Sequence, residues 1–114
     1  MEVIQKGWGC EKIIHNSDGY CGKILCFKKT KKCSYHYHAI KTETFYCRGK
    51  IIVKFGENDD YDNAQEKTLE TGDVFHVPSG LRHQIIAVED SEVFEFSTTH
   101  LEQDSIRIVL GDVL

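Results

Sequence analysis

The sequence predicts an all-β domain, an antiparallel barrel or jelly roll of about ten strands. Three observations carry that reading. Short runs rich in Ile, Val, Phe, Tyr and Thr alternate with turn signals from end to end, and the turns recur about every 8 to 12 residues. No segment keeps a helical period for more than about two turns. A sheet of that many strands must also close or cover its edges, since unpaired edge groups template aggregation, and a small barrel or jelly roll does so.

The elements follow in order. EKIIH (residues 11–15) runs into the turn NSDG, and YCGKILCFK (20–28) into a cluster formed by Lys28, Lys29, Lys31 and Lys32. SYHYH (34–38) and TETFYC (42–47) are separated by a bend at Ala39-Ile40, and Arg48-Gly49 turns the chain into KIIVKF (50–55). Residues 56–66 carry five acidic side chains without apolar periodicity and read as an exposed hairpin loop. KTLE (67–70), the turn TGD, VFHV (74–77), the turn PSG, RHQIIAV (82–88), EVFEFST (92–98) and IRIVL (106–110) complete the strands. Thr99 to Ser105 suits one short turn of helix.

The chain of 114 residues reads as one domain, residues 1–114, long enough to bury about two-thirds of its unfolded surface. Its net charge of −4 and charged fraction of 28% give no electrostatic basis for binding nucleic acid. The lysine cluster is a solvated turn. No run of about eighteen apolar residues and no signal-peptide core occur, so the expectation is a cytoplasmic protein without membrane contact. Five cysteines, odd in number and without a C-x-x-C pair, fit reduced thiols used as small apolar side chains.

The chemistry gathers around the histidines. In an extended strand, residues two apart share a face and sit about 6.6 Å apart, so His36 and His38 project together and can share one divalent ion. Glu43 follows the bend at Ala39-Ile40 and can return from the next strand to supply balancing charge. Taken alone, a His-Tyr-His alternation also suits a solvent-facing strand. A second segment, GDVFHVPSGLRH, strengthens the metal reading. Its proline fixes φ and its glycine permits a positive φ, and this rigid turn delivers His83 as a third imidazole.

The pattern His36-x-His38-x4-Glu43-x5-Gly49, followed by Gly72-x5-Pro78-x-Gly80-x2-His83, resembles the two signature motifs of the cupins. The resemblance implies a small β-barrel (double-stranded β-helix, or jelly roll) that holds one divalent metal ion on His36, His38, Glu43 and His83. Zinc, iron, manganese and nickel suit that ligand set alike. Three departures stand out: Thr30 where the first motif usually begins with glycine, a gap from Glu43 to Gly49 one residue shorter than usual, and Ala87 where the second motif often ends in asparagine.

Within the cupins, three features are similar to sugar and sugar-phosphate isomerases of the type II phosphomannose and D-lyxose kinds. They are Trp8-Gly9-Cys10-Glu11, a cation at Lys41 between ligands, and Glu95-Phe96-Ser97 followed by Asp104-Ser105-Ile106-Arg107. The resemblance implies aldose–ketose proton transfer through an enediolate, with open metal positions for two sugar oxygens. Glu95 is the candidate base, since alternation sets it opposite Phe94 and Phe96, and a cavity-facing carboxylate there would have a raised pKa. Lys41 is the candidate for neutralising the enediolate, Arg82 a candidate for an anionic substrate group, and Trp8 and His100 line the sugar site.

The implied partner is a small sugar or sugar phosphate, and the resemblance implies a homodimer. Two other functions share the motifs: an iron-dependent dioxygenase, and a non-catalytic sugar- or metal-binding module.

Overall fold

The computed structural model describes residues 1–113. Among these the regular structure is eleven strands and two short 3-10 turns, with no α-helix. The strands are β1 (Glu2–Lys6), β2 (Gly9–Asn16), β3 (Cys21–Phe27), β4 (Tyr35–His38), β5 (Glu43–Arg48), β6 (Lys50–Gly56), β7 (Gln65–Glu70), β8 (Val74–Val77), β9 (Arg82–Ala87), β10 (Ser91–Ser97) and β11 (Ser105–Val109). Among the described residues no helix is long and apolar enough to cross a membrane. β1 is the strand that patterning misses, because EVIQK has no clear alternation; pairing with β2 across the Gly7-Trp8 turn makes it a strand.

Two antiparallel sheets stack as a jelly-roll sandwich and do not merge into one closed cylinder. One runs β1-β2-β3-β10-β5-β8 and the other β11-β4-β9-β6-β7. Inward residues follow the alternation of each strand. Phe45, Cys47, Ile51, Val53, Leu69, Val77, Ile85 and Val93 meet between the sheets as the apolar core, which extends to Phe27 and Trp8, stacked at 4.3 Å between ring centroids.

The turns supply what their residues promise. Gly72 takes φ +97° and Gly80 φ +84°, left-handed values that glycine reaches without strain. Thr30 takes φ +72°, the one non-glycine residue there among those described, and stands where the first motif usually has glycine. The acidic segment after β6 is more than an exposed loop. Its 3-10 turn carries Tyr61, which packs edge-on against Tyr35 and donates to Gln84 Oε1 at 2.7 Å, so it covers the outer face of the second sheet. The second 3-10 turn, Glu102–Asp104, falls where the sequence places a short helical turn.

Candidate metal centre

His36 and His38 share the inward face of β4. His36 is directly opposite His83 on β9, and His38 is opposite Ser105 on β11. Glu43 opens β5 in the facing sheet, so the ligands reach one point from both layers. One donor atom from each of His36, His38, Glu43 and His83 lies within 4.8 Å of the other three, and all but half-buried His36 are buried.

The rings are oriented by their other nitrogens. His36 Nδ1 donates to the Ser34 carbonyl at 2.9 Å, and His83 Nδ1 to the Leu81 carbonyl at 2.9 Å. A carbonyl only accepts, so Nδ1 carries the proton and Nε2 presents a lone pair to the centre. His38 Nδ1 meets Ser105 Oγ at 3.3 Å. Burial, reinforced by His83 and His38, keeps His36 well below the ordinary imidazole value and therefore neutral, as a ligand must be.

Glu43 Oε2 lies 2.9 Å from His83 Nε2 and 3.2 Å from His38 Nε2. Despite that closeness, neither Glu43 Oε2 nor His83 Nε2 is in hydrogen-bonding geometry with any partner. Two buried acceptors aimed at a common point without a donor are what a cation would satisfy, so the residues fit a divalent ion. Burial opposes ionisation of Glu43, while the Lys41 ammonium, 3.4 Å from its other oxygen, favours the carboxylate.

Beside the ligands lies a buried ion pair. Lys41, 2% exposed, sets its Nζ 2.7 Å from Glu95 Oε2 and 3.4 Å from Glu43 Oε1. Burial works against its charge, yet Glu95 and Glu43 raise its pKa. Burial and the charge of Glu43 push Glu95 upward, against the pull of Lys41. Ser97 Oγ donates to the same Glu95 oxygen at 2.8 Å. Lys41 Nζ donates to His100 Nδ1 at 3.0 Å, and burial together with Lys41 lowers the His100 pKa.

The bend at Ala39-Ile40 is pinned from three sides. Asp104 accepts from the Ile40 and Lys41 amides at 3.0 and 2.9 Å, Ser79 Oγ donates to the Ile40 carbonyl at 2.7 Å, and the Gly80 amide donates to the His38 carbonyl at 2.7 Å. The acidic tail residue and the Pro-x-Gly turn therefore both place Lys41.

These groups line a cavity of about 380 Å³ between the sheets. It brings together the four ligand residues with Lys41, Glu95, Trp8 and His100. It does not include Arg82. That guanidinium lies outside, over the Tyr37 ring at 3.8 Å and 2.9 Å from Asp59 Oδ1. The odd and even positions of β9 face opposite sides of the sheet, so His83 and its neighbour cannot both face the metal. Two further cavity residues, Lys23 and Glu11, carry a signal in the sequence, since Lys23 occupies an inward phase between Cys21 and Leu25. Ser34 and Leu81 carry none, because any residue supplies a carbonyl.

The likeness to known proteins follows the same architecture. No curated protein matches the sequence. KdgF from Halomonas sp. superposes with a TM-score of 0.70 at 20% identity, covering 82% of each chain. The capsular polysaccharide assembling protein CapF from Staphylococcus aureus gives a TM-score of 0.81 at 18% identity over 96% of this chain and 34% of its own. Oxalate decarboxylase from Bacillus subtilis gives 0.79 at 18% identity over 94% of this chain and 30% of its own. The chain thus spans about a third of the latter two, and at these identities the likeness is one of fold. A family model described as Cupin matches residues 28–111, a stretch holding both histidine motifs, and the chain belongs to the cupin family.

Proposed function

We propose that this cupin is a metal-dependent isomerase of a small sugar or sugar phosphate. The observation that carries the reading is the buried Glu95–Lys41 pair, 2.7 Å apart and next to a four-residue metal-ligand set in one cavity. A divalent ion on His36, His38, Glu43 and His83 would supply Lewis acidity toward a carbonyl and its neighbouring hydroxyl. The chain supplies the rest. Glu95 takes the proton from carbon 2 of the aldose and returns it to carbon 1. The Lys41 ammonium stabilises negative charge developing on oxygen, and His100, hydrogen-bonded to Lys41, offers the relay that moves the oxygen-bound proton. CapF, by its name a capsular polysaccharide assembling protein, has the same fold and supports a place in carbohydrate chemistry.

The test is a panel of aldose and ketose phosphates in deuterated water with added zinc, manganese or iron. Deuterium should enter at carbon 2 of the aldose, and Glu95→Gln should abolish it. No exchange with any sugar would sink the isomerase.

The homodimer has support on the outer face of the first sheet. Register sets Ile24, Phe94, Tyr46 and Val74 side by side across four strands, and Phe96, 61% exposed, extends the row. Contiguous apolar surface of this kind marks an interface, and a second copy of the same face is its occupant in this reading. Light scattering should give twice the chain mass, falling to one chain in Phe96→Glu; a monomeric native protein at tens of micromolar would refute it.

A further inference from the structure

We infer that the cavity takes its substrate lengthwise and that Lys23 and Lys6, gathered around Glu11, hold an anionic end of it, a phosphate monoester or a carboxylate. The inference rests on the cavity being a sugar site and adds the charge class of the sugar.

Strand order gives the layout. Crossing the floor of the cavity from β5 to β10 to β3, Phe45 is opposite Glu95 and Glu95 is opposite Lys23, so these positions share the inward face. Strand spacing puts the β3 backbone about 10 Å from β5, which carries Glu43. Glu11, on β2, belongs to the next strand out. That separation suits a five- or six-carbon sugar with its carbonyl end at the ligands and its far end at Lys23.

The chemistry at the far end is cationic. Lys23 is 3% exposed, with Nζ 2.5 Å from Glu11 Oε1, while Lys6 Nζ stands 3.8 Å from Glu11 Oε2. Two ammonium groups thus share one carboxylate. At the ligand end the ratio is reversed, with Lys41 between Glu43 and Glu95. Lys23 alternates with Cys21 and Leu25, at a position where an apolar side chain would serve packing alone, and burying an ammonium there is expensive. Glu11 balances that charge, and both side chains line the cavity, where an anionic group can compete for the ammonium.

The charge balance agrees. Lys6, Lys23, Lys41 and Arg107 line the cavity against Glu11, Glu43, Glu95, Glu102 and Asp112, so a divalent ion turns one excess negative charge into one excess positive charge. Arg82, the other cation with a claim on an anion, is outside and bound to Asp59. An anionic substrate meets its counter-charge at Lys23 and Lys6.

Calorimetric titration of the metal-loaded protein tests this. The probes are glucose, mannose and galactose, their 6-phosphates and their uronates. The phosphates or the uronates should bind at least tenfold tighter than the neutral sugars, and whichever set is tighter identifies the anion. Lys23→Met should reduce that preference below threefold. Lys6→Met, at a more exposed position that leaves the Lys23–Glu11 pair intact, should weaken it severalfold if Lys23→Met folds poorly. Equal binding of charged and neutral sugars, retention of the preference in both variants, or binding of none of them overturns the inference. Anion-selective binding without deuterium exchange would instead overturn the isomerase and leave this site standing.

Discussion

The two ends of the sandwich interior are built by the same strands and differ in almost every other respect. Along β5 the inward positions read Glu43, Phe45, Cys47; along β10, Glu95, Val93; along β9, His83, Ile85, Ala87; along β3, Lys23, Leu25, Phe27. Each strand changes from polar to apolar within one or two inward steps, β3 and β10 one step further in than β5, whose Phe45 stands level with Glu95 and Lys23. Below that boundary the interior is a packed core stabilised by removal of apolar surface from water. Above it, charges are buried in alternation, Glu11, Lys23, Glu95, Lys41, Glu43, an arrangement that contributes little net stability because desolvation offsets attraction. Strand alternation therefore decides which side chains enter, and the level at which they change character marks the site.

Removing the ion should separate the two ends most sharply. With metal at about a thousand times its dissociation constant, the native protein should gain about 4 kcal/mol over the chelated form. His83→Ala should gain none, as read by thermal melting with and without chelator; an equal gain would mean that the polar end holds no metal. Ile51→Ala, at the apolar end, should lower stability by about 3 kcal/mol in denaturant titrations, while metal-dependent stabilisation persists. Loss of both would show that the ends are one unit.

Asp104→Ala leaves the Ile40 and Lys41 amides without their acceptor and should destabilise by about 2 kcal/mol. Because the bend carries Lys41, exchange activity should fall more than metal affinity. Thr30→Gly relieves a left-handed threonine and should stabilise by about 1 kcal/mol, leaving both ends unchanged. The smallest effect concerns Cys33, which packs on the core yet lines the cavity. Burial pushes its thiol up to about 12. The folded value exceeds the unfolded one of about 8.5, so the stabilisation is complete below that pH and disappears as pH rises toward the folded value. At pH 8 Cys33 should react with iodoacetamide more slowly than Cys10 and Cys26, which are likewise half-buried; rapid labelling would mean that the cavity admits solvent to the core boundary.

Much of this is visible in the residue pattern for a physical reason. Alternation has a period of two and is local, so the shared face of His36 and His38 and the inward phase of Glu95 follow from position along one strand. Pro78 and Gly80 constrain their own dihedrals, so the turn before His83 is legible too. Arg82 shows where local reading stops: adjacency to a ligand suggests the site, while the same alternation turns its side chain to Tyr37 and Asp59. Tyr61 shows another limit, because a segment without periodicity gives no hint that one of its rings covers Tyr35.

By itself the sequence determined the all-β class, the order of nearly all strands, the four candidate ligand residues and the inward phase of Glu95, since these depend on near-neighbour sterics and on a pleat that repeats every second residue. Only the tertiary structure decided that Lys41 sits between Glu43 and Glu95, that Asp104 holds the bend beneath it, that Ser34 and Leu81 orient two imidazoles, and that Lys23 and Glu11 form the far end of the same cavity. Those are pairings between strands distant in the chain, and register across two stacked sheets is set by the packing of the whole core, which no single stretch encodes.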